Sequence, residues 1–275
     1  MSKNKVIILV VLGCILLAFG NVSLWATRDV FNPERFGQRV AEGLQSDAAS
    51  EVMADATIAR IMEYYPELPR LVRGPAKDVV TWLLQRPAFT PVFRKTASVA
   101  WVIMTTSAQD VIGLDLSNVG DYVVVVVTSL NAEAGAVTQV AMEAVYESGP
   151  LIIYESGHFP KLRGLSNTVP WIWPFAILAA IGLLVVAYLK AKEQKSSLMT
   201  IGTGILITSI LVLMLIPALR APVQNSISNY TTQVVVREVL TTLMQGLVIQ
   251  SIVLGLIGVI LMVASQYFRK KDKKA

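Results

Sequence analysis

The sequence has one cysteine and one histidine in 275 residues, and only 16% of its residues are charged. A single cysteine cannot form a disulfide within the chain, so any domain outside the cytoplasm must be held by its core. A lone histidine cannot supply the usual zinc ligands, and the sequence has no Gly-x-Ser-x-Gly, phosphate-loop or His-Glu-x-x-His motif. We therefore predict no catalytic residue, no metal and no cofactor, and we expect a protein that is not an enzyme.

The one histidine, His158, lies in the run Ser156–Pro160, shortly before a long apolar segment. A surface or interfacial histidine is the simpler interpretation. His158 is therefore a weak candidate for a functional residue.

Hydrophobic residues make up 54% of the chain, above the ~45–50% of ordinary soluble domains. They are concentrated in four segments of about 20 residues, the length that crosses a hydrocarbon core of roughly 30 Å as a helix. We predict four transmembrane helices: Val6–Leu24, Trp171–Leu189, Leu198–Leu219 and Leu247–Phe268. None of them contains Asp, Glu, Lys, Arg or His, which disfavours a pump or a proton-coupled carrier.

The basic residues indicate the orientation, because short cytoplasmic segments are rich in Lys and Arg. Three clusters of them precede the first span, join the second to the third and follow the fourth, so these clusters fall on one side. The segment between the first two spans instead has twelve Lys and Arg against sixteen Asp and Glu. We predict a multi-pass plasma-membrane protein with cytoplasmic N- and C-termini and a large extracytoplasmic domain. The basic pI then comes from the lysines and arginines on the cytoplasmic side, and we expect no nucleic-acid partner.

The first span has two alternatives to weigh, a cleaved signal peptide and a lipoprotein anchor at Cys14. Leu24 makes a poor small-x-small cleavage site, and the apolar run continues past Cys14. An uncleaved signal-anchor helix within residues 1–27 is favoured.

The predicted extracytoplasmic domain, residues 28–168, reads as a series of amphipathic helices. The expected helices begin at Pro33, run from Asp47 to Tyr65, carry Val79, Val80, Leu83 and Leu84, and begin again at Pro87. The aromatics of the last helix, with Phe89 and Phe93, read as core. Val111–Leu116 and Leu151–Glu155 are β-prone and favour a small sheet, whereas Val123–Val127 fits strand and helix equally. The expected fold is a mainly α membrane protein with an α-rich (α+β) outer domain and at most a small sheet.

Residues 169–275 are predicted to form a three-helix transmembrane region with a basic cytoplasmic tail. The segment at about 221–246 is too long for a simple turn and has apolar residues every three or four positions. We expect an extracytoplasmic helix here that packs on the outer domain and continues into the last span.

Small residues four positions apart mark two seams where helices can approach closely. They are Ala176 with Ala180 in the second span and Ser251 with Gly255 in the fourth. Both pairs are candidate helix-packing sites, within one chain or between the copies of a homo-oligomer.

Four short motifs follow one another along the chain, between an anchor and three further spans: Pro33–Phe36, Arg86–Phe89, Leu114–Leu116 and Phe159-Pro160. In this order the chain resembles a group of uncharacterised bacterial integral membrane proteins common in actinobacteria. That group has a Trp, an Asn-Arg pair and a His in the helix after the Pro-Ala-Phe triplet. At the matching positions this chain has Phe93, Ala97, Ser98 and Trp101. The resemblance implies the architecture and a bacterial cell envelope, and it implies no known activity.

Three functional classes stay open at this point. The favoured expectation is a non-enzymatic envelope protein in the lipid bilayer, whose outer domain binds a partner protein, a lipid or a wall component. A transporter or channel component is the alternative, for which polar residues of the third and fourth spans would line a path. A membrane-bound enzyme is the third.

Overall fold

The computed structural model describes residues 3–64, 73–106, 111–114, 128, 139, 151–155, 163–225 and 227–271. The described part is mainly helical, as predicted. Among these residues four helices are long and apolar enough to cross a membrane: Asn4–Val30, Thr168–Leu189, Gln194–Pro222 and Tyr230–Tyr267. They cover the four predicted spans to within one residue, so that prediction is confirmed.

Residue contacts divide the chain into two compact units. The bundle unit is Met1–Arg35 with Gly164–Ala275, and the inserted unit is Phe36–Arg163. The predicted domain boundaries fell at 27/28 and 168/169.

In chain order the elements are α1 (Lys3–Trp25), a π-helical turn (Ala26–Val30), α2 (Pro33–Leu44), α3 (Asp47–Tyr64), α4 (Arg73–Leu84), a 3-10 turn (Pro87–Phe89), α5 (Thr90–Thr106), β1 (Val111–Leu114), β2 (Leu151–Glu155), α6 (Arg163–Leu189), α7 (Gln194–Asn225) and α8 (Tyr230–Lys271).

Two apolar clusters form the core of the bundle unit. The first joins α1, α6 and α7 through Val10, Cys14, Leu184 and Ile205. The second joins α7 to α8 through Ile216 and the fully buried Leu247, with the end of α1 packed beside them. Because α1 contributes to both clusters, it is an integral helix of the bundle.

The expected helix at about 221–246 is corrected by the structure, which divides this segment between two long helices. Residues 221–225 complete α7, and residues from Tyr230 onward begin α8, which continues without a break into the fourth span. Asn229 sets the division, since its side-chain Oδ1 accepts the backbone N–H of Thr232 at 3.2 Å and caps α8. The helix therefore starts at Tyr230 rather than at about residue 221, and it continues into the last span.

The helices of the inserted unit follow the predicted order. Asn32 caps α2, because its Oδ1 accepts the N–H of Arg35 at 3.0 Å, and Pro33 occupies the first helical position. The helix predicted from Asp47 is α3, and the last two are α4 and the 3-10 turn with α5. On α4, Val79 is 55% exposed, while Leu83 is buried.

Strands β1 and β2 lie in the two β-prone runs and pair antiparallel. Val111 is opposite Glu155 and Leu114 is opposite Leu151, with an irregularity in the register after Ile112. Val123–Val127, for which strand and helix stayed open, lies outside the described residues.

Candidate functional site

The candidate binding site is the exposed surface made by Val79 and Trp82 of α4 and by Arg86, two residues past the end of that helix. Trp82 is 41% exposed, and the guanidinium carbon of Arg86 lies 3.6 Å from the centroid of its ring. This cation–π contact contributes about 0.5–1 kcal/mol at an exposed position. We name these three residues the α4 face.

Side-chain amides fix the end of α4 that carries this face. Gln45 of the α2–α3 connection donates to the carbonyl oxygens of Leu84 and Arg86, at 3.3 and 2.9 Å. Gln85 donates to the Oδ1 of Asp47 and the Oγ of Ser50, at 2.9 and 3.0 Å. These bonds tie the helix end to the start of α3, so the α4 face is held in one orientation.

An ion-pair cluster joins the N-terminal half of α4 to α3. The ammonium of Lys77 donates to Asp55 at 2.7 Å and to Glu51 at 2.9 Å. These hydrogen bonds, Asp55 first and then Glu51, raise the pKa of Lys77. The pairing therefore stabilises the fold below the ordinary lysine pKa, and this contribution is lost as pH rises through the raised value. Since both partners are exposed, the contribution is small.

Phe89 is buried next to the α4 face in the chain. It lies in the 3-10 turn after Arg86 and packs on Phe93, with ring centroids 6.1 Å apart. The interpretation of these aromatics as core holds for Phe89, which is 5% exposed. The sequence analysis did not identify Trp82 and Arg86 as candidate functional residues. Arg86 has extended backbone two residues past the end of α4, so helical spacing gave no signal for this contact.

The bundle unit holds a hydrogen-bonded polar cluster where three helices meet. Asn21 of α1 donates to the Oγ of Ser251 on α8 at 3.2 Å, and Ser209 of α7 donates to the Ser251 carbonyl oxygen. All three residues are buried. Because each bond joins different helices, this polar node fixes the relative position of α1, α7 and α8.

The predicted helix-packing residues lie at close contacts within the chain. Ser251 and Gly255 face α7, where a Cβ at Gly255 would meet the Ser209 Oγ at 2.8 Å. Ala176 and Ala180 face α1, since a Cβ at Gly20 would lie 3.5 Å from that of Ala176. Ala180 is fully buried.

The backbones of α7 and α8 approach each other more closely at another site, about one turn further along α8 than Gly255. A Cβ at Gly258 would lie 2.8 Å from the carbonyl oxygen of Gly202 on α7, and a Cβ at Gly202 would lie 2.7 Å from that of Gly258. The two helix backbones are therefore in contact at this glycine crossing, which leaves no room for a side chain on either helix.

A buried carboxylate lies at the other end of the bundle. Asp29, in the π-helical turn after α1, is 1% exposed and packs against Gly246 of α8. Trp25 holds the same junction, because its indole Nε1 donates to the carbonyl oxygen of Leu243 at 2.9 Å. The sequence analysis assigned no role to Asp29, which lies five residues after the end of the predicted first span.

His158 lies outside the described residues. Within the part of the chain that the structure describes, no group of three or more His, Cys, Asp and Glu side chains is placed to hold a metal ion.

Comparison with protein-family models, curated proteins and solved structures finds no match to the chain. The four apolar helices of the described residues are consistent with a multi-pass membrane protein. The resemblance drawn from the short motifs stays a prediction.

Proposed function

We propose that this chain is a non-enzymatic protein of the cell envelope whose inserted unit lies outside the cytoplasm and binds a partner protein through the α4 face. The observation that carries the proposal is an exposed tryptophan, covered by an arginine, on a helix that side-chain amides hold in place. Tryptophan and arginine are enriched among the residues that dominate binding energy at protein interfaces. A face fixed in advance also loses less entropy on binding.

Charge favours a particular partner chemistry at this face. Arg73 and Arg86 lie at the two ends of the α4 region, while Lys77 is paired with acids of α3. Asp78 is the acidic residue of α4 itself. A partner segment with an apolar side chain beside a carboxylate would contact Trp82 and Arg86 together.

The bundle supports the proposed orientation. One end carries Lys5, Lys190, Lys192 and Lys195, which the positive-inside rule assigns to the cytoplasm. At the opposite end the Oγ of Ser23 donates to the carbonyl oxygen of Val169 at 2.9 Å. The two chain segments that lead into and out of the inserted unit therefore leave the bundle side by side, at the end remote from the lysines.

A transport role has less support from the same contacts. The hydroxyls of Thr203 and Thr208 donate to the carbonyl oxygens of Met199 and Gly204 in their own helix. Ser209 is engaged in the polar node. These side chains, which a transport path would need, contribute instead to helix structure and packing.

The proposed orientation predicts opposite labelling of two introduced cysteines. In intact spheroplasts, Ser148→Cys should react with a membrane-impermeant maleimide, and Ser196→Cys should react only after the membrane is opened. Buried Cys14 should contribute little background. Labelling of Ser196→Cys from outside would reverse the orientation and reject the proposal.

The proposed binding face predicts a position-specific crosslink in cells that produce the protein naturally. A photoreactive phenylalanine analogue at Val79 should give one discrete protein adduct, and the same analogue at exposed Lys95 of α5 should not. Adding Arg86→Glu or Trp82→Ala to the Val79 variant should lower the adduct yield at least about tenfold. The yield is measured by quantitative immunoblotting against the total protein.

The control for this experiment is Arg39→Glu, an equal change of charge on α2. It should leave the adduct yield unchanged. A yield indifferent to Arg86→Glu and Trp82→Ala, or adducts with lipid alone, would exclude a protein partner at the α4 face.

A further inference from the structure

The basic end of the bundle contains an open groove of about 1120 Å³. Four helix ends line it: the start of α1, the end of α6, the start of α7 and the end of α8. Two hydrogen bonds hold the ends of α6, α7 and α8 together, from Ser197 to the Ala187 carbonyl oxygen at 3.3 Å and from Ser265 to the Lys195 carbonyl oxygen at 2.7 Å. The groove is therefore a fixed feature of the bundle unit, and we name it the basic-end groove.

The lining changes from polar to apolar along the groove. Lys192, Lys195 and Gln266 line the end at the α6–α7 connection, and Val11 and Ile207 line the inner end. Glu193 also lines the polar end, so the two lysines exceed the acid by one charge. The groove thus has a positive polar end and an apolar end.

The length of the groove matches one leaflet of a membrane. Ser196 and Ile207 both line it and lie eleven residues apart on α7, which corresponds to roughly 16 Å along a helix. Half of a hydrocarbon core is about 15 Å thick. Val11 and Ile207 are each 51% exposed on helices that are apolar enough to cross a membrane. The apolar end would therefore open sideways to acyl chains.

We infer that the basic-end groove binds one anionic phospholipid, with its phosphate between Lys192 and Lys195 and one acyl chain against Val11 and Ile207. Basic pockets between transmembrane helices have the chemistry that anionic headgroups require. A purely ionic ligand fits the groove less well, because it would leave the apolar half of the groove empty. This inference depends neither on the orientation of the protein nor on the α4 face.

The test uses the full chain, purified in a non-ionic detergent and titrated with phosphatidylglycerol or phosphatidylcholine. Native mass spectrometry counts the bound lipids and gives their dissociation constants. We expect one phosphatidylglycerol to bind about tenfold more tightly than phosphatidylcholine. The double variant Lys192→Gln with Lys195→Gln should lose this preference. Lys190→Gln, in the same connection but outside the groove lining, should keep it.

A second pair of variants tests the apolar end. Ile207→Trp should weaken both lipids at least about fivefold by filling the chain site. Ile210→Trp should weaken neither, because Ile210 is similarly exposed on α7 but does not line the groove. A phosphatidylglycerol preference that survives the double lysine variant would overturn the inference. Competition by glycerol 3-phosphate as strong as that by the lipid would overturn it too, since the groove would then take a soluble anion.

Discussion

Gly258→Leu should greatly lower the yield of folded protein in detergent and should lower the melting temperature of what folds more than any other substitution proposed for the bundle. The new side chain would have to enter at the glycine crossing, where its Cβ alone would lie 2.9 Å from the backbone nitrogen of Leu206. Neither helix backbone can yield locally, so α7 and α8 must separate. We expect a loss above about 3 kcal/mol, the upper range for overpacking.

Gly182→Leu is the matched control. Gly182 lies in α6 and is exposed, and a Cβ built there meets nothing within 4 Å. The same substitution should therefore leave the melting temperature nearly unchanged. Gly255→Leu should fall between the two, because its nearest neighbour is the Ser209 side chain rather than backbone. Leu256→Ile, on the exposed side of α8, should change little.

Size-exclusion chromatography and thermal unfolding in one detergent provide the ranking. If Gly258→Leu melted like Gly182→Leu, the backbones of α7 and α8 would not be in contact, and the packing described for the last two helices would be wrong.

The long helices were predictable because their signals are local. An uncharged run of about 20 residues must form a helix in lipid, where no water can satisfy its backbone. The start of α2 was equally clear, since Asn32 and Pro33 supply a cap and a preset first turn. In each case the residues that decide the structure are neighbours in the chain.

The glycine crossing was not predicted, although the neighbouring pair Ser251 and Gly255 was noted. A four-residue spacing of small residues finds that pair, but Gly258 follows Gly255 by three. Since steps of three and four alternate along one face of a helix, Gly258 lies on the same face as Gly255, but a search for four-residue spacing passes over it. Gly202 gives even less signal, because Leu198 and Leu206 lie four residues away on each side. Its role depends on α8 and becomes visible once the two helices are placed together.

The α4 face was missed for a related reason. Val79 and Leu83 are both apolar and share a helical spacing, yet the structure exposes the first and buries the second. Burial depends on which side of α4 meets α3, and Lys77 with Gln85 decides that through bonds to acids and a hydroxyl of α3. These partners lie more than 20 residues away in the chain, beyond the reach of a periodicity argument.

Asp29 and Gly246 should be energetically coupled. Asp29 would be read from sequence as an exterior acid, since it follows the last apolar residues of the first span. The π-helical turn instead directs it against α8, where the side chain packs on the space left by the missing Cβ of Gly246. Gly246→Ala should destabilise the protein by about 1–3 kcal/mol, because the added methyl group meets the carboxylate and lies 3.3 Å from the Trp25 ring.

The coupling is measured by repeating Gly246→Ala in two other backgrounds. With Asp29→Ala the methyl group finds space, so the loss caused by Gly246→Ala should shrink by on the order of 1 kcal/mol, as expected for residues in contact. With Asp29→Asn the side chain keeps its shape, so the full loss should persist and identify the effect as steric rather than electrostatic. Each melting temperature is taken in the same detergent, with Gly182→Ala as the control for adding a methyl group to a helix. An equal loss in all three backgrounds would mean that a Cβ at residue 246 does not reach Asp29, and the first span would then end as the sequence alone suggests, with its acid outside the bundle.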